Sequence, residues 1–229
     1  MWNKIIYELS RFEGLVFLFL IPCCIVGAIG WKQFPRALKL IVVFVWFDLC
    51  TEIILRVLAH AFKDNNPGLP FYAIGQMVLW SLFYREILPR RSVFVRYFKP
   101  ITGVILLLIV LNSVFIQPLH TFCSYSITLV QIMIILYGIA FAFRFLEEAN
   151  LDENLLEQQS FRYINSAVLL YYCGTLFVFM FGQFLTSDLT AQRDFYFLWR
   201  ANILLNMILH IVILIILCKT IFSPRILQN

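Results

Sequence analysis

The sequence predicts an all-α fold, a polytopic transmembrane helix bundle of seven spans with the N-terminus outside and the C-terminus in the cytoplasm. Three observations lead there: an apolar excess too large for a water-soluble core, apolar runs of span length divided by turn chemistry, and a one-sided distribution of Lys and Arg among the loops. Of 229 residues, 62% are hydrophobic and 14% charged, with a mean hydropathy of +0.85. Soluble domains are roughly half apolar and a quarter charged. A span takes about 20 apolar residues, so the whole chain, 1–229, reads as a single transmembrane domain without room for a second, soluble one.

The elements follow in order. Lys4, Glu8, Arg11 and Glu13 precede the first apolar run, which is not the basic-then-apolar-then-small order of a cleaved signal peptide, so 14–31 is read as a retained first span. Further spans are predicted near 38–62, 71–88, 100–116, 119–146, 162–185 and 195–222. Between them stand Gln33-Phe34-Pro35, Asn65-Asn66-Pro67-Gly68, Leu88-Pro89-Arg90-Arg91, Gln117-Pro118 and Ser187-Asp188, residues that end helices and start turns. Only Gln117, Pro118 and His120 divide the fourth span from the fifth, which predicts a closed helical hairpin. Glu147, Glu148, Asp152, Glu153 and Glu157, interleaved with Leu151, Leu155 and Leu156, predict a short amphipathic extension of span five. A solvated connector is its first reading, and a docking surface for a cytoplasmic protein partner its second.

With seven spans, loops one, three and five share a side with the C-terminus. That side holds Lys32, Arg36, Lys39, Arg85, Arg90, Arg91, Arg96, Lys99, Arg144, Arg162, Lys219 and Arg225, against Lys4, Arg11, Lys63, Arg193 and Arg200 on the other. Basic loops stay in the cytoplasm, which gives the orientation. The net charge of +5 is therefore a topology signal, and nucleic acid is not expected as a partner. Trp2, Trp31, Tyr97 and Trp199 near span ends fit an interfacial aromatic belt. The six cysteines lie inside apolar stretches with no zinc-site spacing, so neither a metal nor another cofactor is expected.

Span two carries the most informative pattern. Asp48, Glu52, Arg56 and His60 recur every fourth residue and so stack along one helix face. Ionisable groups inside a bilayer turn toward the bundle interior and find partners there. Glu52 and Arg56 are spaced to pair locally; Asp48 is left to find another partner or to stay protonated. Asn202, Asn206 and His210 repeat the spacing in span seven, and Tyr72, Gln76, Trp80 and Tyr84 in span three. Span five adds Ser124, Thr128 and Gln131, and span six Asn165, Tyr171, Tyr172 and Gln183. If these faces converge they enclose a polar core, and a pocket built around Glu52, Arg56, Gln76, Asn202 and Asn206 is expected. The competing reading is that interhelical hydrogen bonds simply hold the bundle together. For the aromatics, packing is the expected role rather than a ligand cage.

Several chemistries are disfavoured. A retinal protein needs a mid-span lysine, and Lys219 lies near the end of the last span; a zinc hydrolase needs converging histidines, and there are only His60, His120 and His210. Neither a GxSG-like nor a paired GxGD-like protease signature occurs. Asp48 and Glu52 as an acid/base pair acting on a lipid give a weak catalytic signal, and no catalytic residue is assigned.

Asn65-Asn66 before the glutamine-bearing third span, Leu82-Phe83-Tyr84, Ile164-Asn165-Ser166, and Leu198-Trp199 with Asn202 and Asn206 together resemble a group of small seven-helix integral membrane proteins of Bacteroidota. The resemblance covers most of the chain. It implies a multi-pass protein of the bacterial inner membrane and brings no activity with it; many members have an acid where this chain has Gln76, which weakens transfer of a catalytic role. The expectation is a membrane-embedded sensor or binding module for a small molecule or lipid, with Asp48, Glu52, Arg56, Gln76, Asn202, Asn206 and His210 as ligand-binding or proton-carrying candidates. A small proton-coupled secondary transporter is the alternative, and a lipid-modifying intramembrane enzyme the third reading.

Overall fold

The computed structural model describes residues 14–147, 155–187 and 192–222, which are almost wholly helical and contain no strand. Seven long helices are present among them: α1 (Phe17–Gly30), α2 (Arg36–Phe62), α3 (Leu69–Ile87), α4 (Phe98–Leu111), α5 (Ser124–Glu147), α6 (Leu155–Ser187) and α7 (Gln192–Phe222). Residues 148–154, which hold most of the acidic link between spans five and six, lie outside the described residues.

Local chemistry places the breaks. Pro35, with φ −62° and ψ 161°, stands immediately before α2, and Pro70 lies in the first turn of α3, where proline removes no helical hydrogen bond. Lys63 ends α2 in the left-handed conformation (φ 55°), and Asp64 Oδ1 then accepts from the Asn66 backbone N–H at 3.0 Å to tighten the turn. The fifth helix begins at Ser124 rather than near 119 because Gln117 holds the preceding turn. Its Oε1 accepts from Asn112 Nδ2 (2.9 Å) and from the Tyr125 backbone N–H (3.0 Å), while its Nε2 donates to Ser124 Oγ (3.0 Å). The side chain thus satisfies a first-turn donor that a helix N-terminus leaves open.

Six helices close into a ring: α1 packs on α2 and α7, α2 on α3, α3 on α5, α5 on α6 and α6 on α7. Helix α4 lies outside, mainly against α3 and more lightly against α5, and leaves Val104, Leu107 and Val110 exposed, as are Val114 and Phe115 in the segment that follows it. Small residues allow close approach between neighbours; a Cβ on Gly75 would come within 2.1 Å of the Phe47 ring across α2 and α3. Polar side chains tie the ring internally. Tyr84 Oη donates to Asn165 Oδ1 (2.8 Å), Asn165 Nδ2 to the Gly138 carbonyl (3.2 Å), and Gln131 Nε2 to Thr175 Oγ1 (3.1 Å). These groups hold α3, α5 and α6 together and have no further role in the site below.

Large apolar side chains face outward all around, among them Leu18, Ile29, Val57, Phe71, Phe177, Leu204 and Ile215, while Asp48, Gln76, Gln131, Asn165, Asn202 and His210 face inward. Four segments are long and apolar enough to cross a membrane: Phe98–Ile116, Ser124–Arg144, Gln159–Met180 and Phe197–Phe222; Phe17–Gly30 is apolar but shorter. Their length and composition fit a membrane protein. Helices α2 and α3 reach 27 and 19 residues, but their apolar character is diluted by the groups they turn into the ring, Asp48, Glu52 and Arg56 on one and Gln76 on the other.

Candidate functional site

The four-residue repeat of α2 becomes a gradient of burial. Asp48 is buried, Glu52 and Arg56 are about one-third exposed at 36% and 33% of their side chains, and His60 is exposed. Arg56 Nε lies 3.7 Å from Glu52 Oε2, the local pair expected from an acid one turn N-terminal to a base. Its guanidinium also sits 4.6 Å from the centre of the Phe17 ring, so α1 covers one face of the cation.

The deepest group is a pair across the ring. Asp48 Oδ2 on α2 lies 3.2 Å from His210 Nε2 on α7, with the two side chains 3% and 0% exposed. The partner left open for Asp48 by the sequence is therefore His210. The other ring nitrogen, Nδ1, lies 2.9 Å from the Asn206 backbone carbonyl. A carbonyl only accepts, so Nδ1 carries a hydrogen and Nε2 is the nitrogen that faces the acid. The 3.2 Å contact lies within ion-pair distance but outside hydrogen-bond alignment. Cys23 Sγ of α1 donates to the His210 carbonyl at 3.3 Å, tying a third helix to the pair.

Above this pair, toward the end of the ring where α2 stops and α3 and α7 start, lies a cavity of about 130 Å³. Glu52, Arg56, Asn202 and Asn206 line it as expected, together with Thr51 and Asn65. Gln76 does not: its Nε2 donates to the Tyr72 hydroxyl, and it is Tyr72 that reaches the cavity. Gln76 is thus a support behind the wall, because the helical turn that brings Tyr72 to the cavity places residue 76 one turn deeper.

Aromatics expected to be packing divide into two groups. Trp80, Tyr84 and Tyr172 are buried packing, whereas Tyr72 and Tyr171 form a wall of the cavity, completed by Phe179 and by Trp199, which was expected in the interfacial belt; the Tyr171 hydroxyl faces Asn206 and Tyr72. The available signal was spacing, since Tyr72 precedes Gln76 by one turn and Trp199 precedes Asn202 by three residues. Three polar atoms of the lining side chains are buried without a hydrogen-bond partner: Arg56 Nε, Asn202 Oδ1 and Asn206 Oδ1. Buried polar atoms are rarely left so, and a cluster of them around one cavity calls for an occupant.

The rim is clamped by a second ion pair. His120 Nδ1 lies 2.8 Å from Asp64 Oδ2, and Asn66 Nδ2 donates to the His120 carbonyl at 3.1 Å, joining the loop after α2 to the loop before α5. The hydrogen bond from His120 holds the Asp64 carboxyl below its ordinary value of 3.8. A depressed carboxyl stabilises the fold above its unfolded pKa and loses that contribution as pH falls through the folded one. Asp64→Asn, which keeps the turn acceptor, is expected to lower stability by about 0.2–1 kcal/mol at pH 6. Thermal unfolding at pH 3 and below should show that difference shrinking toward zero. No protein-family model, curated protein or solved structure matches the chain.

Proposed function

We propose that this chain is a seven-span protein of the bacterial inner membrane, N-terminus outside, that binds a small molecule or lipid headgroup in the cavity between α2 and α7 and reports its occupancy on the cytoplasmic side. The observation that carries this reading is the meeting of Arg56 Nε, Asn202 Oδ1 and Asn206 Oδ1, buried atoms without a hydrogen-bond partner, at one cavity. The excess of Lys and Arg on the opposite side supports an outer-face position for that cavity. Helix α7 offers the route inward, because Asn206 lines the cavity with its side chain and holds His210 with its backbone. The basic segment 85–99 and the acidic link after α5 are the surfaces for a cytoplasmic protein partner.

The test is a solute screen on the reconstituted protein, read by unfolding temperature. Saturable stabilisation by a solute pool, lost in Asn202→Leu, supports the reading; no stabilisation by any pool refutes it.

Proton-coupled transport is favoured as a second reading by the Asp48–His210 pair, two ionisable side chains buried in contact one turn beneath the cavity. In currents recorded on a solid-supported membrane during pH jumps and solute additions, transport predicts sustained signals that Asp48→Asn abolishes. Binding without current in the wild type returns the protein to the sensor class.

A further inference from the structure

We infer that the cavity takes a zwitterion, a small molecule or lipid headgroup carrying an ammonium and a carboxylate or phosphate a few bonds apart. The inference rests on the cavity being a binding site and adds the class of its ligand.

The unpartnered atoms divide by type. Asn202 Oδ1 and Asn206 Oδ1 are acceptors and require N–H or O–H groups from an occupant, whereas Arg56 Nε is a donor and requires an acceptor. Asn202 is 93% buried, being 7% exposed, so bulk water does not serve it. Tyr72, Tyr171, Trp199 and the Glu52 carboxylate line the same cavity as the acceptors, aromatic and acidic surroundings that favour a cation. Arg56 Nε, although 3.7 Å from Glu52 Oε2, has no hydrogen-bond acceptor, and a guanidinium donor is best met by an anionic one.

A purely anionic ligand would meet Glu52 and two amide oxygens with nothing to donate. A purely cationic one would meet Arg56. A neutral polyol could satisfy both amides, but it would displace water from two charges and return no charge in exchange. A zwitterion answers both halves and keeps the site neutral in sum, since Glu52 and Arg56 already cancel. Their 3.7 Å contact is loose, and the Arg56 nitrogen has no hydrogen bond to lose. The volume of about 130 Å³ restricts the recognised part to a few heavy atoms. An amino acid such as glycine meets that limit, and so does the polar end of an ethanolamine headgroup.

The experiment places the full chain in nanodiscs of phosphatidylglycerol and follows unfolding temperature against glycine, propionate, propylammonium and glycerol. A parallel series replaces part of the lipid with phosphatidylethanolamine. Saturable stabilisation by glycine identifies a soluble ligand, and stabilisation by phosphatidylethanolamine that glycine does not increase identifies a headgroup. In either case Asn202→Leu and Arg56→Lys should weaken binding about tenfold or more, as loss of a hydrogen bond to a charged group does. Arg56→Lys keeps a charge beside Glu52 and Asn202→Leu alters none, and the unliganded unfolding temperature of each reports separately on folding. Glycerol binding as tightly as glycine, or propionate or propylammonium doing so, overturns the zwitterion and leaves the cavity a binding site. Silence from every solute and from phosphatidylethanolamine overturns both.

Discussion

Replacing His210 by Leu is expected to lower the stability of the bundle by about 3–5 kcal/mol, and Asp48→Leu by a similar amount, whereas the double substitution should recover most of the loss. Both side chains are removed from solvent, at 0% and 3% exposure, so deleting either one leaves the other as an uncompensated buried polar group. Two apolar side chains of similar volume leave none. Asp48→Asn separates structure from proton. Because the Asn206 carbonyl fixes a hydrogen of His210 on Nδ1, Nε2 can offer a lone pair to the amide N–H of an asparagine at position 48. That variant should stay within about 1 kcal/mol of wild type. Unfolding titrations with SDS in mixed micelles measure all four proteins. A double variant as unstable as the sum of the single losses would mean that the two side chains do not act as a pair.

The elements of this site that the sequence revealed are those determined within one helix. Asp48, Glu52, Arg56 and His60 share a face because residues four apart always do, and the same rule aligned Asn202, Asn206 and His210. Which residue of one face meets which of the other depends on how α2 and α7 are shifted along each other, and that is fixed by the whole ring. The Asp48–His210 contact was therefore not legible, although both residues were. Gln76 illustrates the same boundary: the correct helix and face were identified, but Tyr72 stands between it and the cavity. Residue type misled most at the aromatics. Tyr72 and Trp80 are both large aromatics on one face of α3, two turns apart, yet one is a cavity wall and the other a core residue. The position of α4 was not legible: neither the first nor the fourth span supplied a polar face, yet α1 closes the ring and α4 lies outside it.

Trp80→Ala is expected to cost about 3–5 kcal/mol while leaving the affinity of the cavity for its occupant nearly unchanged. Trp80 is 1% exposed and meets Phe44 of α2 at 4.6 Å, Tyr172 of α6 at 6.0 Å and its own neighbours Phe83 and Tyr84 at 5.6 and 6.2 Å between ring centres. In a membrane the apolar surroundings of separated helices are as favourable as those of packed ones, so dispersion contacts and hydrogen bonds hold the ring. Removing the indole deletes the contacts that join three helices at one point, and flanking side chains this large cannot refill the space without leaving their rotamers. Yet Trp80 lies two turns, roughly 12 Å, along α3 from Tyr72 at the cavity. The substitution should therefore lower the SDS midpoint strongly without changing the ligand concentration at half-saturation in protein that remains folded. Arg56→Lys should do the reverse, and comparing the two variants in both measurements tests whether stability and recognition occupy separate depths of the bundle. If Trp80→Ala weakens binding as much as Arg56→Lys does, the cavity owes its shape to the aromatic layer beneath it, and its walls and the core form one cooperative unit.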